Sequence, residues 1–206
     1  MSRLFVLLVT VLLTTSACIE ITAPEIVVTA EPQAEELRGA RWQNVPVEYC
    51  VVENGRGFAT TAEFRSLTAR AFQTWGIAAI DRGVCSGDIT RANGVNEFGW
   101  GRDEEAQGGN EEAGFTRILY RECGRSGCAN DARNQIVEAD IVINDAPPER
   151  WQNSRCLYST LLHETGHFLG LPHLDSPALM APASAGCPQD LTEADRQALE
   201  LLYPGD

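Results

Sequence analysis

Three histidines occur in this 206-residue chain, and all of them fall in one eleven-residue stretch, His163-Glu164-Thr165-Gly166-His167-Phe168-Leu169-Gly170-Leu171-Pro172-His173. His163 and His167 stand four apart. On a helix that spacing puts both imidazoles on one face, one turn apart, able to grip one ion. Glu164 follows His163 directly, beside such an ion but not on it, where a carboxylate can take a proton from water. Gly170 tolerates left-handed backbone, so a helix can end there and the chain can turn sharply. Pro172 then resists any return to helix, and the turn lets His173 swing back as a third ligand. Three protein ligands and one open position are what hydrolytic zinc requires. An ordinary amphipathic helix explains a bare HExxH, but it does not account for the whole pattern.

The elements that must hold these residues belong to an exported chain. Arg3 precedes an apolar run, Leu4 to Leu13, that is too short to span a bilayer, and small residues follow at Thr14 to Ala17. Residues 1–18 therefore read as a signal peptide ending at Cys18. Cys18 after Ser16-Ala17 resembles the lipidated cysteine of bacterial lipoproteins, although Thr15 stands where Leu is usual. Lipidation is favoured over plain secretion, and a lipid on Cys18 is the one membrane attachment expected; the location is extracellular or in the cell envelope, with an outer-membrane lipoprotein as one form. Of seven cysteines, setting Cys18 aside leaves an even number suited to disulfides in an oxidising compartment. Order along the chain suggests Cys50–Cys85, Cys123–Cys128 and Cys156–Cys187. A cysteine zinc site has little support because no CxxC pair is present. The net charge of −13 disfavours a phosphate backbone as partner, so no nucleic acid is expected.

Residues 19–40, rich in Glu, Ala and Pro, read as a flexible acidic tether, and 41–206 as a single catalytic domain. Val45 to Val52 is a first strand. Thr60 and Glu63 form a capping box, and the following helix places Phe64, Leu67, Ala71, Phe72 and Trp75 on one buried face. Val95 to Trp100, Gly114 to Arg121 and Ile136 to Asn144 are further strands, with an acidic loop from Gly101 to Ala113. A long helix is predicted from about Ser154 to Leu169. A second capping box, Thr192 to Asp195, opens a last helix. Strands first and helices after give an α+β fold.

The segment His163 to His173 resembles the metzincin signature HExxHxxGxxH, in which the three histidines bind zinc. Ala178-Leu179-Met180-Ala181-Pro182 is similar to the Met-turn that lies under the metal in that family, and its wording is closest to the matrixin branch. Pro182 stands where astacins and serralysins usually carry a ligating Tyr, so no Tyr ligand is expected. Ala139 to Asn144 with Trp151, and Leu191 to Tyr203, are similar to the matrixin strand before the active-site helix and to the terminal helix. The resemblance implies a mixed twisted sheet packed on two long helices, with a C-terminal helix after the Met-turn. It also implies zinc on His163, His167 and His173, Glu164 as general base, and Gly170 and Met180 as structural support. Gly114 to Arg121 would be the edge strand to which a peptide adds. Two features depart from matrixins: no histidine is left for a second, structural zinc, and no latency motif with a cysteine is recognisable.

The expected function is therefore a zinc endopeptidase acting as a monomer on protein or peptide substrate and active once exported. A catalytically silent, zinc-stabilised peptide-binding module is the alternative, and a hydrolase of another substrate, such as a cell-wall peptide, is a third. Calcium is a second candidate cofactor: Asp140, Asp145, Glu149 and the acids from Asp103 to Glu112 supply hard oxygens. Taken singly, each of these reads better as a solvated surface acid.

Overall fold

The computed structural model describes residues 26–30, 39–53, 59–86, 89, 92–101, 113–121, 134–145, 151, 153–182 and 186–205. The signal segment with Cys18, the acids Asp103 to Glu112, Glu149 and the pair Cys123 and Cys128 lie outside these residues. Among the described residues no helix is long and apolar enough to cross a membrane.

Among the described residues, six strands and three helices make the fold. The strands are β1 (Ile26–Ala30), β2 (Val47–Val52), β3 (Ala79–Cys85), β4 (Glu97–Gly101), β5 (Gly114–Arg121) and β6 (Gln135–Asn144); the helices are α1 (Thr61–Trp75), α2 (Ser154–Phe168) and α3 (Glu193–Leu202). The strands form one mixed sheet in the order β1-β5-β6-β4-β2-β3. β2 pairs parallel with β3 and β4, β4 pairs parallel with β6, and β5 and β1 run antiparallel. A parallel β2–β3 pair needs a long crossover, which α1 supplies.

Both capping boxes form. Thr60 and Glu63 close the start of α1, and Thr192 and Asp195 close the start of α3. The expected face of α1 is buried through Phe64, Ala71, Phe72 and Trp75, with Leu67 at its margin. It packs into an aromatic cluster in which Phe72 and Phe98 each lie within 5.4 Å, centroid to centroid, of Phe168 at the end of α2. Such pairs contribute about 0.5–1.5 kcal/mol beyond the area they bury. The sheet and α1 thereby grip the helix that carries the histidines.

Two sequence expectations change here. Within the 19–40 tether, Ile26–Ala30 is a strand. Ile26-Val27-Val28-Thr29 is a β-branched run that favours extended pairing, and the flanking Pro24 and Pro32 masked it. In consequence β5 is not the edge of the sheet. Its outer side carries β1, with Ile26 opposite Arg121 and Ala30 opposite Arg117. An unpaired strand of this length offers a row of free N–H and C=O groups, and β1 covers that row from Arg117 to Arg121. β3, which the sequence reading left unassigned, is the opposite edge; Ile80 and Val84 on it are exposed.

Disulfides Cys50–Cys85 and Cys156–Cys187 are present, with Cα–Cα distances of 5.7 Å and 4.7 Å. The first ties β2 to β3. The second ties the first turn of α2 to the segment entering α3. Closing loops of 35 and 31 residues is worth about 3–4 kcal/mol each in the chain-entropy account.

Candidate metal centre and its supporting shell

Helix α2 delivers His163, Glu164 and His167 on its last turns. Its exit is fixed by partners far away in sequence. The Trp42 indole N–H donates to the Phe168 carbonyl at 2.8 Å, and the Tyr203 hydroxyl donates to the Leu169 carbonyl at 2.8 Å. Carbonyls that a helix end leaves without partners are thus satisfied inside the core. Gly170 then turns with φ 96°. A side chain there would be strained, and its Cβ would overlap the Ala40 carbonyl oxygen. The chain comes back through Pro172 to His173.

The three rings converge. His163 Nε2 lies 3.1 Å from His167 Nε2, which lies 3.2 Å from His173 Nε2. His163 Nδ1 donates to the Leu179 carbonyl and His167 Nδ1 to the Leu171 carbonyl, each at 2.7 Å. Because a carbonyl only accepts, both rings carry their proton on Nδ1 and aim an Nε2 lone pair at the centre. Lone pairs this close repel unless a cation lies among them. Nitrogens about 2.0–2.1 Å from a tetrahedral ion stand about 3.3–3.4 Å apart, so the donor set fits zinc in type and in spacing. Burial lowers the pKa of all three rings, most strongly at His167, where the neighbouring His163 adds to it. They are held in the neutral form that binds metal.

Beneath the rings, Met180 is fully buried. A Cβ at Gly166 would run into the Met180 sulfur, and into Trp75 at 2.7 Å. The glycine inside the helical motif is therefore what lets α2 settle on the Met-turn. Asp195 holds that turn from α3: its carboxylate accepts from the backbone N–H of Leu179 at 2.9 Å and of Met180 at 3.1 Å while also capping the helix. Leu179 in turn anchors His163. Asp195 entered the sequence reading only as a cap; the contact spans 16 residues and leaves no periodic signal.

Thr116 is the second residue that the sequence reading did not single out. It sits on β5, fully buried, and its hydroxyl lies 2.7 Å from Glu164 Oε2 and 3.1 Å from the Glu164 carbonyl oxygen. Glu164 is itself 4% exposed. Strand β5 thus carries a hydrogen bond to the carboxylate beside the triad.

The candidate calcium acids are placed differently from expectation. Asp140 and Asp145 are buried rather than solvated, because they lie on and just after β6, an inner strand covered on both faces. Among the described residues, those close enough to share an ion are the three histidines and the set Cys50, Cys85 and Glu97, whose cysteines are joined in a disulfide. Neither Asp140 nor Asp145 is in such a group.

Asp140 carries a different consequence. Its Oδ1 accepts the Glu97 N–H at 2.9 Å, while its Oδ2 is buried with no hydrogen-bond partner among the described residues. Burial first, then the nearby Glu138 and Glu97 charges, push its pKa up to about 8, against the Glu97 N–H, which lowers it. The folded chain therefore keeps a proton that the unfolded chain loses near an ordinary Asp pKa of about 3.9. Stability falls as pH rises from about 4 toward 8, by about 1.4 kcal/mol per unit at most, and levels off above. Asp140→Asn imitates the protonated group. Melting curves at pH 5 and pH 8 should show a smaller loss for Asp140→Asn than for the parent; equal losses would rule out this titration.

A mixed sheet over two long helices, a convergent histidine triad, a carboxylate beside it and a buried Met turn beneath it define a metzincin-type catalytic domain. The matrixin family model matches residues 98–204, more than half of the chain, and the chain belongs to that family. Membership brings the general class, a zinc metallopeptidase hydrolase, and implies zinc at the triad. A search of curated proteins finds no match. The disulfides fit an exported protein.

Proposed function

We propose that this chain is an exported zinc endopeptidase that hydrolyses peptide bonds in extended protein segments. His163, His167 and His173 serve as metal ligands, Glu164 as general base, and Gly170 and Met180 as support. The observation that carries this reading is the convergence of three neutral Nε2 atoms beside a carboxylate held by its own hydrogen bond. Residues 1–18 are proposed as the signal ending at a lipidated Cys18, and 41–206 as the catalytic domain.

Zinc held by the triad supplies a Lewis acid that lowers the pKa of a water and polarises a carbonyl. Glu164 takes the proton from the attacking water and passes it to the leaving amine. Thr116 keeps the carboxylate aimed during both transfers. The buried walls around Glu164 and His167 limit competing solvent and strengthen these charge interactions. A silent binding module would have no use for a buried, oriented Glu164, so the catalytic reading is preferred.

The test is hydrolysis of casein by the chain starting at Ile19, with and without a zinc chelator. Cleavage that stops with chelator and returns with added zinc is expected. A folded, zinc-loaded chain that leaves casein intact would overturn the endopeptidase reading.

A further inference from the structure

On the endopeptidase reading, a peptide lying extended beside the triad adds to the outer edge of β5. The strand enters the site at Thr116, which touches Glu164, and β1 already occupies the edge from Arg121 to Arg117, stopping one residue short. We propose that Ile26–Ala30 is a built-in competitor of substrate: an autoinhibitory strand that a substrate segment displaces when it adds to β5. The proposal rests on the endopeptidase reading of the site.

Three observations support it. First, two segments cannot use one row of N–H and C=O groups, and β1 pairs over five consecutive residues. Second, β1 belongs to the same chain as the site, with residues 31–46 between Ala30 and the start of β2 at Val47. A segment tethered in the same chain competes at an effective concentration on the order of millimolar, so a micromolar substrate feels the competition strongly. Third, the contact is built to be reversible. β1 is five residues long, has one neighbour in the sheet and is held by neither of the two disulfides among the described residues. Such a margin lies at the low end of local stability. Pro24 and Pro32 bracket it in sequence, and neither can donate to a ladder. The segment is therefore short enough to leave and close enough to return.

Proline substitutions within β1 test this without touching the site. Alternate residues of an antiparallel strand aim their N–H at the neighbour, so one of Val27→Pro and Val28→Pro deletes a β1–β5 hydrogen bond and the other acts as its control. Each is made in the full chain, with Glu164→Gln to prevent turnover. Binding of fluorescein-labelled casein, an unfolded protein, is then read by anisotropy, with zinc content and melting temperature checked for each chain. One proline variant is expected to bind about tenfold more tightly than its Glu164→Gln parent, as loss of one competing hydrogen bond and of strand pairing implies. With Glu164 intact, the same variant should cleave casein with a KM lower by a similar factor. Equal affinity in all three chains, or no binding by any, overturns the proposal. Tighter binding with no cleavage by the Glu164-intact chain would leave the competing strand standing and remove the endopeptidase reading instead.

Discussion

Glu164→Gln is expected to lower casein turnover by about 10²–10⁴-fold while the chain keeps its zinc. The reason lies in what the substitution leaves in place. Gln has the same shape, so the buried site is neither emptied nor overfilled. The Thr116 hydroxyl, 2.7 Å from Glu164 Oε2, can donate to the amide oxygen instead. His163 and His167 keep their Nδ1 anchors on the Leu179 and Leu171 carbonyls. What disappears is the group that can accept a proton. Metal analysis should find zinc at the parent level, and thermal melting should be little changed. A purified Glu164→Gln chain with parent activity would remove Glu164 from the chemistry. Thr116→Val is the milder companion. It should lower kcat by about tenfold, the cost of one lost hydrogen bond to a charged group, with KM unchanged, and Thr116→Ser should restore it.

The part of the site that was legible in the sequence is the part built by local periodicity. His163 and His167 meet because a helix returns to the same face every turn, and Gly170 marks where that helix must stop. Both capping boxes could be read for the same reason: donor and acceptor are three residues apart. The shell around the triad was not legible. Thr116 reaches Glu164 across 48 residues, and Trp42 reaches Phe168 across 126. Neither pairing leaves a spacing to count, since sheet register and helix packing create it only after folding. Asp195 could be seen as a cap, but its second role depends on where the Met-turn lands.

The strands divide along the same line. β5 was legible as a strand, yet its position in the sheet was not, because position depends on which segment pairs beside it. The β-branched run at Ile26–Thr29 carried the signal for β1. Reading 19–40 by its overall Glu, Ala and Pro content averaged that signal away. Asp140 and Asp145 failed as surface acids for a related reason. Charge suggests solvent, whereas their place on and after an inner strand fixes burial, and the hydrogen bond from Glu97 to Asp140 offsets only part of the cost.

His167→Ala separates metal binding from proton transfer. His167 is the middle ligand, 1% exposed, with Nε2 within 3.1 Å and 3.2 Å of the other two. Its removal leaves His163 and His173 as two ligands, and an imidazole pair alone holds zinc far more weakly than a triad. The purified chain should carry little zinc and cleave no casein. It should also melt lower than the parent, both because a buried ring is replaced by a void and because bound metal no longer favours the folded state. The decisive readout is the response to chelator. Removing zinc should lower the melting temperature of the parent and of Glu164→Gln alike, because ligand binding and folding are coupled. It should leave His167→Ala unmoved, since that chain has no triad metal to lose. Stoichiometric zinc in His167→Ala, with a melting temperature that still falls on chelation, would mean that the ion sits elsewhere and that the triad is not its site.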